Sequence, residues 1–117
     1  MLLHAGGHTI GALTWERAPT EKVAAVIRGM KSEHFDFMGK SLTLGSFFAG
    51  YGYSMIGVLI LVSFALWLLS TAPDRKMTAL FAVFLSFLGF CELIWFFPFA
   101  AAFSLTAALC TLLALIR

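Results

Sequence analysis

His4 and His8 stand four residues apart, and Glu92 is the only charged residue in residues 77–116, a run otherwise made of Leu, Phe, Ala and other uncharged residues. Residues at i and i+4 share one face of a helix, so the two imidazoles can address one partner. Two imidazoles and a carboxylate make three ligands, the number used by open zinc and non-haem iron sites, so His4, His8 and Glu92 form a candidate metal set. Either histidine alone could be the axial ligand of a haem or similar pigment. A buried Glu beside a His could also exchange a proton with it. The simplest reading needs no ligand. A carboxylate at bilayer depth costs a few kcal/mol, roughly 2.5 to 3.5 for Asp at a helix centre, so it finds partners in a polar network that holds helices in register.

Counting from segment ends suggests those partners. His8 lies six residues before Thr14, where the first apolar segment ends, and Glu92 lies six before Pro98. Tyr51 and Ser54 fall near the start of the next apolar run, at similar depth, with His4 one helical turn deeper than His8. His4, His8, Tyr51, Ser54 and Glu92 are therefore the candidate residues of one intramembrane cluster.

The elements that would position them follow from composition. Of 117 residues, 61% are hydrophobic and 12% charged, with a mean hydropathy of +0.94. Soluble domains carry about 25% charged residues, so an integral membrane protein is expected. Residues 41–73 are uncharged and longer than the roughly 20 needed to span ~30 Å of hydrocarbon. Residues 77–116 would make a helix of ~60 Å, about twice that thickness, so the chain should fold back at Pro98. Helices are expected over residues 44–70, 77–97 and 98–116. Continuous rather than alternating apolar runs exclude a β-barrel. Residues 1–14 reach only ~21 Å as a helix, which fits either a short or partly inserted helix or a longer one begun upstream. No basic n-region marks them as a secretory signal. Counted as the first helix, they complete an all-α four-helix membrane bundle forming a single domain.

Residues 15–43 hold nine charged side chains and must lie outside the hydrocarbon. Val23, Val26, Ile27 and Met30 recur at helical spacing after Pro19 and Thr20, so an amphipathic surface helix is expected over residues 20–30. Its polar face mixes Glu21 and Lys22 with Arg28 and Lys31. It lacks the one-sign charge of a nucleic-acid-binding helix, and no nucleic-acid partner is expected. Arg75, Lys76 and Arg117 share a side with the N-terminus; residues 15–43 hold more basic side chains, but interleaved with acidic ones, whereas Arg75 and Lys76 crowd a tight turn, which points to cytoplasmic termini. Gly6, Gly7, Gly45, Gly50, Gly52 and Gly57 should let the first two helices approach closely, with a glycine-lined cleft as the functional alternative. Trp15, Trp67 and Trp95 near segment ends read as interfacial anchors, and the many Phe as lipid-facing or core bulk, with a hydrophobic-ligand pocket as the lesser option. Cys91 and Cys110 fall on different helices and should remain thiols.

The chain resembles an uncharacterised group of small bacterial four-helix membrane proteins. The resemblance is carried by Gly7-His8-Thr9, by the run His34-Phe35-Asp36-Phe37-Met38-Gly39, by Phe47-Phe48-Ala49-Gly50-Tyr51-Gly52 and by Phe96-Phe97-Pro98. It implies a fold and a bacterial inner (cytoplasmic) membrane location more than an activity. No nucleotide loop, nucleophile elbow or charged channel ring is present, so a non-enzymatic role is the first expectation. That role is an accessory or scaffolding subunit whose partners are the lipid bilayer and other membrane subunits, or copies of itself. The alternative is a small bundle that holds a metal, a haem-like pigment or a hydrophobic ligand on its His/Glu cluster.

Overall fold

A computed structural model describes residues 1–116. It is helical apart from one short hairpin: α1 (Leu2–Thr14), α2 (Glu21–Ser32), β1 (His34–Phe37), β2 (Lys40–Thr43), α3 (Leu44–Thr71), α4 (Arg75–Trp95) and α5 (Pro98–Leu115). Three of these, α3, α4 and α5, are long and apolar enough to cross a membrane. The described chain falls into two compact units, one made of Gly6–Val58 and the other of Met1–Ala5 with the residues from Leu59 onward.

In the second of these units, local chemistry sets each helix end. Pro73 stops α3, since a residue preceding proline is disfavoured in the α region. Asp74 then caps α4, its Oδ1 accepting from the Met77 N–H at 2.7 Å. Replacing Asp74 by Ala should lower stability by about 1 kcal/mol, read as an earlier midpoint in detergent unfolding, whereas Asn should hold the wild-type value. At the next reversal α4 ends at Trp95 and Pro98 takes the first turn of α5, where its missing N–H costs nothing.

α4 buries Ala82, Leu85, Gly89 and Glu92, and α5 buries Ala100, Ala101, Ser104 and Ala108. Both sets recur at three- and four-residue spacing, so each is one stripe, and both are rich in small residues. A Cβ at Gly89 would lie 2.7 Å from Leu105 Cγ and Cδ2 and 3.2 Å from its backbone N. Glycine there is what the α4–α5 crossing requires. Around it Val62, Leu85 and Ala108 form an apolar core flanked by Met1, Leu66, Phe81, Phe84 and Ala107.

In the Gly6–Val58 unit, Thr20 caps α2 and Glu21 binds Arg28 at 2.6 Å, while Lys31 binds Glu16 at 2.5 Å. These exposed pairs contribute little each. Gly45 sits under Lys31, Met30 and Trp15, and a Cβ at Gly52 would stand 3.2 Å from that of Ala12. Gly6, Gly7, Gly50 and Gly57 face open space instead, so of the six glycines expected to bring α1 and α3 together only Gly52 does so, Gly45 approaching α2 and Trp15.

The sequence reading gave no strands to residues 34–43, yet they form an antiparallel pair with register His34↔Thr43, Phe35↔Leu42, Asp36↔Ser41 and Phe37↔Lys40. The reason is local. Met38 and Gly39 both hold positive φ, 50° and 79°, the pattern of a two-residue type I′ turn.

Candidate functional site

α4 and α5 present Glu92 and Ser104 from their facing stripes, and the first turn of α1 adds His4, all three within one unit. His4 Nε2 lies 3.3 Å from Glu92 Oε1, and His4 Nδ1 lies 3.4 Å from Ser104 Oγ. Ser104 also borders the Glu92 carboxyl. Exposure is 5% for His4, 7% for Glu92 and 0% for Ser104, so water is excluded from the cluster. Phe103 stacks on the imidazole with centroids 5.8 Å apart, and Phe99 meets Phe103 edge-on at 5.0 Å.

One proton arrangement satisfies the two imidazole contacts together. His4 donates its Nε2–H to Glu92 Oε1 and accepts the Ser104 O–H at Nδ1. Glu92 Oε2 remains buried with no hydrogen-bond partner among the described residues. The order serine, imidazole, carboxylate is also that of a hydrolytic triad. Here the hydroxyl is fully buried and packed between helices, so no acyl carbon can reach Oγ, and nucleophilic chemistry is excluded on access. Within reach are proton exchange between His4 and Glu92 and a polar clasp joining α4, α5 and the start of α1.

The other candidates belong to the Gly6–Val58 unit. His8 belongs to the Gly6–Val58 unit, where its Nε2 lies 3.2 Å from the Gly52 carbonyl. A carbonyl only accepts, so Nε2 carries the proton. His8 and Ala12 share a face of α1, so the ring contact and the close approach at Gly52 belong to one helix crossing. Tyr51 is 72% exposed, its ring 6.3 Å from Phe47, and Ser54 is exposed as well. Among the described residues no three His, Cys, Asp or Glu side chains gather as a metal-binding group. His4 and Glu92 meet each other within their unit. Both cysteines are free.

Ser104 is the member that sequence reasoning missed. The signal was present: Glu92 stands six residues before Pro98 and Ser104 six after it, which puts both at one depth on a hairpin folded at that proline. Its place in the small-residue stripe Ala100, Ser104, Ala108 marked the same face.

Each unit also has a surface cleft. One of about 320 Å³ is lined by Met1, Leu2, Leu3, Ser63 and Leu66, and the other by Glu16, Ala24, Ile27, Arg28, Lys31 and Ser32. No protein-family model, curated protein or solved structure matches the chain.

Proposed function

We propose that the chain is a non-enzymatic accessory or scaffolding subunit of a larger membrane assembly, built as a four-helix bundle in a bacterial inner membrane with both termini cytoplasmic. α2, with Val23, Val26, Ile27 and Met30 on one face, lies on the membrane surface as an amphipathic helix. The observation that carries this reading is the closure of the polar cluster. His4, Glu92 and Ser104 spend their polar groups largely on one another at 7% exposure or less, which suits a register lock rather than a site open to substrate. The outer faces of the three long helices support it too, since only 11 to 28% of their most apolar windows is buried within the chain. Lipid or neighbouring helices must cover the rest.

A second reading is favoured by one atom. Glu92 Oε2 is buried and unpartnered, so the carboxyl retains the capacity to bind a metal, a pigment substituent or the polar end of a hydrophobic ligand. Native purification in mild detergent separates the two. The accessory reading expects a colourless, metal-free protein migrating with other membrane subunits in a defined ratio. A monomer carrying a Soret band or near-stoichiometric metal, lost in Glu92→Gln, would replace it with the ligand reading.

A further inference from the structure

We propose that the 34–43 hairpin is a membrane-interface anchor whose tip, Phe37-Met38, enters the boundary between phospholipid headgroups and acyl chains. Met38 combines two features that are unfavourable in water. It is a non-glycine residue held at φ 50°, in the left-handed region that L-residues disfavour, and its apolar side chain is 91% exposed. Asn or Asp would suit the turn and the solvent better. Such a residue is explained when the tip does not meet bulk water.

The faces of the hairpin agree. The register sets Phe35, Phe37, Leu42 and Lys40 on one face and His34, Asp36, Ser41 and Thr43 on the other. A lone two-stranded ribbon is marginal in water, and this one leans its apolar face on the Phe47 ring, with centroids 5.8 Å from Phe35 and 6.2 Å from Phe37. Phe37 nevertheless stays 52% exposed.

The root of the hairpin fixes its level. β2 ends at Thr43 and α3 begins at Leu44 with no linker. Thr43 and Ser46 cap each other there, the Ser46 N–H donating to Thr43 Oγ1 and the Thr43 N–H to Ser46 Oγ, both at 3.0 Å. The hairpin is thus clamped to the first turn of a candidate span. α3 has 28 residues, ~42 Å of helix against ~30 Å of hydrocarbon, so its ends reach into the headgroup layers. Tip residues at that level sit where interfacial apolar side chains bury ~5–10 Å, and Lys40, opposite Phe37, can extend to a lipid phosphate.

The anchor rests on reading α3 as membrane-spanning, and the test separates the two. The full chain with Cys91→Ala and Cys110→Ala carries an environment-sensitive fluorophore at Met38→Cys, at Phe37→Cys, at Ser41→Cys or at Phe64→Cys. Each is reconstituted in phosphatidylcholine–phosphatidylglycerol vesicles, with nitroxide lipids as membrane quenchers and iodide as the aqueous one. The proposal expects blue-shifted emission at 38 and 37, quenched by nitroxide near the headgroup but not by iodide, while 41 is quenched by iodide and 64 by nitroxide deep in the chains. Iodide-quenched emission at both 38 and 37, or emission there shielded from both quenchers, overturns the anchor while a deep-quenched 64 keeps the span. A water-exposed 64 overturns both.

Discussion

His4→Ala is expected to destabilise the protein by about 2–3 kcal/mol, and adding Glu92→Leu to it should recover most of that loss. Two reference magnitudes bracket the figure. Removing one partner of a buried pair in a water-soluble core costs about 3–5 kcal/mol, because the other charge is left uncompensated. Hydrogen bonds between membrane helices average only about 0.6 kcal/mol and reach about 1.7, because the unfolded state in the bilayer finds partners too. The Glu92 carboxyl faces His4 through Oε1 and has no hydrogen bond at Oε2, so truncating His4 removes its one close imidazole contact. That places the expected loss above the neutral average and below the full soluble value. In the double variant no carboxyl remains to be satisfied, and Leu puts apolar volume in its place. Glu92→Gln keeps an oxygen where Oε1 stands and should lose only about 0.6 kcal/mol. Reversible unfolding in mixed detergent and SDS micelles reads the wild type, these three variants and the Glu92→Leu single variant. Strict additivity of His4→Ala and Glu92→Leu would show that the two side chains do not act as a pair.

The same cluster shows what could and could not be read from the chain. Glu92 was conspicuous because an uncharged run of that length makes one carboxylate visible, and the three long helices were legible for the same reason, since apolar length is a direct signal. The reversal at Pro98 was legible through the geometry of proline. Depth counting was coarser: it took Tyr51 and Ser54 as members of a buried cluster, whereas both are exposed, and within its unit His8 meets the Gly52 carbonyl. His4 and His8 differ by one turn, ~6 Å along the axis, which is within the uncertainty of where a helix begins. Ser104 stayed hidden because serine in an apolar helix is common, and only its distance from the proline distinguished it. The hairpin escaped because four-residue strands give a weak alternation signal, and the positive φ at Met38 belongs to a residue type that does not announce a left-handed turn.

Gly89→Ala is expected to destabilise the α4–α5 hairpin by about 1–3 kcal/mol, although alanine is the better helix former. The added methyl would sit 2.7 Å from Leu105 Cγ, the branch point of the side chain and not its mobile end, and 3.2 Å from the Leu105 backbone nitrogen. Rotating Leu105 therefore relieves only part of the overlap, and the helices must separate. Separation has a second consequence, because Gly89 precedes Glu92 by three residues and Leu105 follows Ser104 directly. Moving the helices apart there also loosens the contacts of His4 with Glu92 and Ser104. Pairing Gly89→Ala with Leu105→Ala removes the obstacle and should recover stability up to the cost of the lost leucine contacts. Gly57→Ala is the control: its Cβ would meet nothing within 4 Å, so the substitution should be neutral or stabilise by roughly 0.5–1 kcal/mol through helix propensity alone. Opposite signs at Gly89 and Gly57 in one unfolding assay would identify close packing, rather than glycine content, as what holds α4 and α5 together. Equal effects at the two positions would sink that account.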